Sequence, residues 1–116
     1  MDKINLADKL SGFDQLWSPR IVAGYNDNDV MVVKVEGAFN WHSHADTDDF
    51  FLVLQGEIDI EMRDRTVTLQ PGEMFVVPAG VEHRPVAHKQ AHLLLIEPRG
   101  TPNTGDPATA ATKVQI

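Results

Sequence analysis

Three histidines and an acidic pair are the residues of this chain best suited to chemistry. His42 and His44 are separated by one residue, Asp48 and Asp49 follow shortly after, and His83 lies much further along the chain. Imidazole and carboxylate groups are the ligands that proteins offer to divalent iron, manganese, nickel, copper and zinc. Because residues two apart on a strand point to the same face, His42 and His44 can approach one ion together. The pattern therefore predicts a metal centre assembled from two separate segments.

The carboxylate of this predicted centre is assigned to Asp49 rather than to Asp48. Asp49 precedes an apolar run that begins at Phe50, and strand alternation places it on the same face as Phe51. Three imidazoles and one carboxylate around an octahedral ion leave two positions for water or substrate. Three further residues are predicted to shape a substrate pocket beside the ion: Asn40, Phe51 and Phe75.

Taken one at a time, these residues also have ordinary explanations. An H-x-H pair on a strand is more often a surface or packing pair, and an acidic loop is usually solvated. The other histidines carry less information, since His88 lies in a predicted exposed turn and His92 reads as a core or rim residue of the last strand. Trp17 and Trp41 are assigned to packing or to dimer contacts. The prediction depends on the spacing of the ligands and on no single one of them.

Composition limits the classes of protein to which the chain can belong. Its 116 residues suit one domain. The net charge of -7 argues against a nucleic-acid partner, because no basic stripe is available to neutralise phosphates. The absence of cysteine excludes disulfides, thiolate ligands and a cysteine nucleophile. No apolar run is long enough to span a membrane and the N-terminus lacks signal-peptide features, so a cytoplasmic location is expected.

The chain is predicted to be one β-rich domain with two flanking segments. Residues 1–20 form an N-terminal arm with a short helical turn, which Pro19 prevents from continuing. Residues 21–98 contain short apolar and β-branched runs separated by turns, as in an all-β sandwich or barrel. Residues 99–116 are predicted to form an extended or mobile tail. The predicted strands cover 30–35, 39–44, 50–54, 57–62, 66–69, 74–77 and 93–96.

The histidines and the turn residues around them occur in an order that resembles the two motifs of the cupin family. The first motif contains H-x-H, an acidic residue and a glycine, and the second contains a glycine, P-x-G and a histidine. The matching positions are His42, His44, Asp49 and Gly56 in the first motif and Gly72, Pro78, Gly80 and His83 in the second. The resemblance implies a small single-domain cupin, an antiparallel jelly-roll β-barrel of about six to eight strands. It also implies a metal near one mouth of the barrel and a homodimer.

The chain departs from the family motifs at three positions. Gly37 lies one residue closer to the H-x-H pair than usual, and Ala87 replaces an asparagine that is not a metal ligand. The larger departure is Asp49, which stands where the family has glutamate. Its side chain is one methylene shorter, so the carboxylate falls short by roughly an ångström. Three alternatives remain: the backbone compensates, Asp48 contributes, or the three histidines hold the ion alone.

Two classes of function are consistent with this sequence. In the first, the protein is a metal-dependent enzyme, a dioxygenase or an isomerase, that acts on a small organic substrate. No separate general acid or base stands out, which favours metal-centred chemistry over hydrolysis. In the second, the barrel holds a small ligand or a metal without turnover, as a sensor or storage module. The predicted cofactor is one divalent transition metal, with iron or manganese ahead of zinc, nickel or copper.

Overall fold

The computed structural model describes residues 1–116 and consists almost entirely of β-strands. One short helix, α1 (Leu6–Leu10), precedes them, and the Asn5 side chain caps it by accepting a hydrogen bond from the Asp8 backbone N–H. The strands are β1 (Arg20–Tyr25), β2 (Asn28–Ala38), β3 (Asp49–Gln55), β4 (Ile58–Met62), β5 (Thr66–Leu69), β6 (Met74–Val77), β7 (His83–Pro98) and β8 (Val114–Gln115). No helix is long and apolar enough to cross a membrane.

The eight strands form one sheet that is organised around β7. Its order is β5-β4-β7-β2-β1-β8, and β3 joins β7 on one side and β6 on the other. The long β7 strand therefore pairs with β2, β3 and β4. The predicted all-β jelly-roll architecture is confirmed, although the sheet does not close completely. Every pair is antiparallel except β1 with β8, which is parallel.

Alternation along the strands places one set of side chains inside the barrel. In β3, for example, Phe51 and Val53 are buried while the alternate residues Phe50, Leu52 and Leu54 are partly exposed. The largest buried cluster also includes Met31, Val33, Val35, Ile58, Ile60, Leu69, Val77, Ala87, Ala91, Leu93 and Leu95. Three carboxylates occupy buried strand positions: Asp29 in β2, Asp49 at the start of β3, and Glu97 near the end of β7, which pairs with Asp29. Because buried carboxylates are costly, Asp49 and Glu97, which line one cavity, point to a functional site.

Two of the predicted strands differ from the structure. The strand predicted over 39–44 is wrong: its only bridge is at His42, whose backbone N–H and C=O pair with those of His83. The register of β2 shifts between Val35 and Gly37, where the glycine takes a φ of 84°, and the chain then leaves the sheet. The strand predicted over 93–96 is far longer, because the polar stretch around His88 is an exposed part of β7 and not a turn.

The C-terminal segment, residues 99–116, runs back along the barrel. It passes through a series of turns and ends in β8, which pairs with Arg20 and Ile21 of β1. The Lys9 side chain donates a hydrogen bond to the backbone carbonyl of Ile116, so the two ends of the chain are in contact. The segment lies beside the residues that form the site described next.

Candidate metal centre

Four residues from three parts of the chain meet inside the barrel. His42 and His44 lie on the connection between β2 and β3, Asp49 is the first residue of β3, and His83 is the first residue of β7. All four are buried, and one ligand atom from each lies within 4.8 Å of the others. The structure thus brings together the four residues that the sequence singled out.

The Asp49 carboxylate lies at the middle of this group. Its Oδ2 atom is 2.8 Å from Nε2 of His83, 3.2 Å from Nε2 of His44 and 3.7 Å from Nε2 of His42. For metal–ligand bonds of about 2.1 Å, neighbouring ligand atoms lie about 3.0 Å apart in an octahedron and about 3.4 Å apart in a tetrahedron. The His83 and His44 distances are close to these values, and the His42 distance is longer.

The backbone sets which imidazole nitrogen faces the centre. Nδ1 of His42 lies 2.9 Å from the carbonyl oxygen of Asn40, and Nδ1 of His83 lies 2.9 Å from that of Val81. Since a carbonyl only accepts hydrogen bonds, both Nδ1 atoms carry a proton, and in a neutral ring Nε2 then presents a lone pair. Lone pairs directed at a carboxylate repel it unless a proton or a metal cation lies between them.

His44 gives an independent indication of a cation. Its Nε2 atom is buried and has no hydrogen-bond partner in the protein, although it lies close to the Asp49 carboxylate. Buried polar atoms without a partner are uncommon and usually mark an ion or a water. The donor set, three imidazoles and one carboxylate, suits a divalent transition metal. The residues present therefore fit the group that the motifs imply.

The shorter side chain of Asp49 does not exclude it from the group. The backbone of β3 brings its carboxylate within reach of all three imidazoles. Asp48 is placed differently, since its Oδ1 atom accepts a hydrogen bond of 2.9 Å from the Ala79 backbone N–H and its side chain is exposed. Of the two acidic residues, Asp49 faces the centre and Asp48 joins the loop to the P-x-G turn.

Electrostatics favour an ionised Asp49. Burial by itself raises the pKa of a carboxyl group, but the three imidazoles grouped around it, those of His42, His44 and His83, outweigh that effect. The net result is that the pKa of Asp49 is well below its usual range. The carboxylate is thus charged across the physiological pH range and available as a ligand.

The centre opens on a narrow cavity of about 40 Å³. Its walls are mainly apolar and include Trp17, Phe39 and Leu95. The Trp17 and Phe39 rings stack with their centroids 4.8 Å apart, and the Phe39 ring meets the edge of His42. A volume of this size holds only a few water-sized groups. A larger organic ligand therefore requires some movement of the walls or of the C-terminal segment.

The three predicted pocket residues are placed differently from one another. Phe51 lines the cavity. Asn40 is exposed and contributes its backbone carbonyl to His42, while its side chain is not part of the cavity wall. Phe75 packs against the edge of the core, with the Arg65 guanidinium above its ring, and it also lies outside the wall. Trp17 and Phe39, which do line the cavity, were not assigned to it from the sequence.

Glu97 is the functional candidate that sequence reasoning missed. It is 3% exposed, lines the cavity and lies 3.2 Å from Nζ of Lys113. Burial and the nearby Asp49 charge raise the pKa of Glu97, and Lys113 partly opposes them. A signal was present in the sequence, because Glu97 continues the inward alternation of Leu93 and Leu95. Recognising this alternation requires knowing that β7 extends to Pro98.

The fold and the site together define a β-barrel protein with an internal His–His–Asp–His metal-binding group. The chain belongs to the cupin family, whose model for the cupin domain (Cupin_2) matches residues 29–97. It is similar to the crystal structure of a cupin-2 domain containing protein from Shewanella frigidimarina NCIMB 400. The two are 53% identical with a TM-score of 0.82, over 83% of this chain and 94% of that chain.

Two curated relatives extend the comparison. An uncharacterized protein from Bacillus subtilis (strain 168), YdbB, is 33% identical over 87 residues, which cover 66% of this chain and 77% of that protein. A 3-hydroxyanthranilate 3,4-dioxygenase from Aspergillus fumigatus is 30% identical over 83 residues, again 66% of this chain. The matched segment spans only 44% of that enzyme. The similarity to this enzyme therefore covers one segment of it and not its whole length.

Acid is expected to release a metal bound at this centre. A ligating imidazole nitrogen must be unprotonated, so protons compete with the metal as the pH falls below about 6. Because the pKa of Asp49 is low, its carboxylate stays ionised there and the release reports on the histidines. Metal retained after dialysis at a series of pH values, measured by emission spectroscopy, tests this. Circular dichroism at each pH separates release from unfolding, and full retention near pH 4.5 in the folded protein contradicts the expectation.

Proposed function

We propose that this cupin binds one divalent transition metal, iron or manganese first, and uses it to oxygenate or isomerise a small organic substrate. The observation that carries the proposal is the set of Nε2 atoms directed at Asp49, with the Nδ1 atoms of His42 and His83 already bonded to the backbone. Such an arrangement favours a cation at its centre. The donor set contains only nitrogen and oxygen, which suits iron(II) or manganese better than soft copper(I).

The surroundings of the centre support small-molecule chemistry. An apolar cavity reaches two of the four ligands, His42 and Asp49, so a substrate inside it lies next to the ion. Three imidazoles and one carboxylate leave open positions on an octahedral metal for such a substrate. The similarity to a 3-hydroxyanthranilate 3,4-dioxygenase supports dioxygen chemistry as the first reaction to test.

The first experiment measures metal content and oxygen uptake together. The protein is purified without added metal, analysed for elements, loaded anaerobically with Fe²⁺ or Mn²⁺, and mixed with 3-hydroxyanthranilate in an oxygen electrode. Oxygen consumption that requires both metal and substrate supports an oxygenase. The His42→Ala variant serves as the control and is expected to show none. A panel of small phenols and keto acids extends the test. If the protein binds metal but no compound causes oxygen uptake, oxygenation is excluded.

A second candidate is a non-catalytic cupin that binds a metal or a small ligand as a sensor or store. The narrowness of the cavity favours it, since about 40 Å³ leaves little room for a substrate in the closed structure. In that case a ligand stabilises the metal-loaded protein against heat but is recovered unchanged. Recovery of converted product excludes this candidate.

A further inference from the structure

The cavity contains polar groups besides the metal ligands. Glu97 and Asn103 both line it. The Asn103 side-chain oxygen accepts a hydrogen bond from the Ala111 backbone N–H, which ties this residue to the C-terminal segment. Glu97 comes from the barrel itself, so it is a part of the cavity that the sheet positions.

Strand register places Glu97 opposite the metal centre. The antiparallel β3–β7 ladder pairs Leu52 with Leu94 and Val53 with Leu93. At the same register Asp49 would face Glu97, but the ladder is not formed that far along the strands. Both carboxylates point inward, so the space between the two strand ends lies between Asp49 and Glu97. The cavity that Asp49 and Glu97 both line therefore offers a ligand the metal centre and Glu97 together.

The Glu97 carboxylate has one oxygen occupied and one available. Oε2 accepts a hydrogen bond of 3.2 Å from Nζ of Lys113, which also donates to the backbone carbonyl of Thr101. No other side-chain hydrogen bond reaches this carboxylate within the protein, although the residue is almost fully buried. Oε1 is not one of the fully buried atoms that lack a partner, so it is open to the cavity, where a donor on a ligand can reach it.

We propose that Glu97 is a substrate-binding residue that accepts a hydrogen bond from a hydroxyl group of a small, flat molecule whose other end lies at the metal. Lys113 holds the carboxylate in place from the opposite side. The aromatic walls formed by Trp17, Phe39 and Phe51 favour a flat molecule, and the small cavity favours no more than a single ring, which enters when the walls or the C-terminal segment move. The inference rests on the proposed metal-dependent function and names the class of substrate, a neutral hydroxylated ring.

Two ligands of the same size provide the test. Hydroquinone and 4-methylphenol share a metal-binding hydroxyl and differ only in the group across the ring, which is a hydroxyl in one and a methyl in the other. The para arrangement prevents either molecule from chelating the ion. Dissociation constants are measured anaerobically by calorimetry on the Zn²⁺-loaded full chain, because Zn²⁺ is redox-inert and no turnover is involved.

Wild-type protein is expected to bind hydroquinone at least about tenfold more tightly than 4-methylphenol, as suits a hydrogen bond to a charged acceptor. In the double variant Glu97→Met/Lys113→Met both partners become apolar, which avoids an unpaired buried charge, and the preference should fall below about twofold. Glu97→Gln keeps the shape and the fold but loses the charge, so its preference should fall to about threefold. Glu36→Gln, at an exposed glutamate outside the cavity, should keep the wild-type preference.

The outcomes separate this inference from the proposed function. All variants are expected to hold Zn²⁺ as the wild type does, since Glu97 is not a member of the metal-binding group. Wild-type protein that holds Zn²⁺ without preferring hydroquinone overturns the inference, and so does a preference unchanged in both Glu97 variants. Neither result affects the metal centre. Absence of metal-dependent turnover, by contrast, counts against the proposed enzyme and leaves the binding result standing.

Discussion

Replacing His42 by alanine should lower the affinity of the protein for Zn²⁺ or Fe²⁺ by at least about 100-fold. Loss of a residue that only supports a ligand already costs about 10- to 100-fold, and His42 belongs to the metal-binding group itself. Its Nε2 atom is directed at Asp49 because the Asn40 carbonyl orients the ring. Competition with a fluorescent chelator gives the affinity, and elemental analysis gives the occupancy.

His88 supplies the matched control. Its side chain is 76% exposed on β7, away from the centre, and its ion-pair partner is Asp59. His88→Ala should therefore bind metal as the wild type does. Circular dichroism and a thermal melt of the metal-free proteins show whether His42→Ala is folded. If folded His42→Ala has wild-type occupancy, the group is a remnant that no longer binds metal, and the proposed function fails with it.

Replacing Gly105 by alanine should release the C-terminal segment from the barrel. Gly105 has a φ of 77°, and a Cβ atom at this position would overlap the carbonyl oxygen of Ser43. Ser43 is the residue between His42 and His44, so the alternative to release is a shift of the metal-binding segment itself. Trypsin cleavage after Lys113, which is held against Glu97 in the structure, should become at least about tenfold faster.

Gly100 separates the effect of contact from that of backbone conformation. It has a φ of 85°, but a Cβ atom there would have no neighbour within 4 Å, so Gly100→Ala carries only the left-handed strain of about 1–2 kcal/mol. Gly105→Ala carries the same strain and the overlap with Ser43. We therefore expect faster cleavage and weaker metal binding in Gly105→Ala than in Gly100→Ala. Equal cleavage rates in the two variants would mean that the segment is not packed on the site.

Faster cleavage and weaker metal binding have the same cause, the loss of the contacts between the C-terminal segment and the site. The segment contacts Ser43 through Gly105, contributes Asn103 to the cavity, and supplies Lys113 to Glu97. A ligand too large for the closed cavity requires this segment or the aromatic walls to move. Weaker packing of the segment should therefore change ligand binding as well as proteolysis.

Much of the metal centre could be predicted from local sequence. The H-x-H pair, Asp49 and His83 are each held by short turns, and a turn acts over only a few residues, so spacing carries the information. The positions of the short strands β5 and β6 could be predicted for the same reason, since compact turns separate them. The predicted strand at 39–44 failed because the alternation there reflects metal-ligand placement and a single bridge to His83, not a ladder.

Sequence alone predicted three histidines with an acidic partner, from their types, their local spacing and their order in the two cupin motifs, but it left open whether Asp49 supplies the carboxylate, and the structure places Asp49 in the group. Only the tertiary structure decided what surrounds that group. Glu97 lies next to the site because β3 and β7 are neighbours, and Lys113 reaches it because the last segment returns to β1. Contacts between residues so far apart in the sequence depend on how the strands pack. The turn-rich C-terminal segment also has no periodic pattern of apolar residues, so its sequence does not reveal where it lies on the barrel.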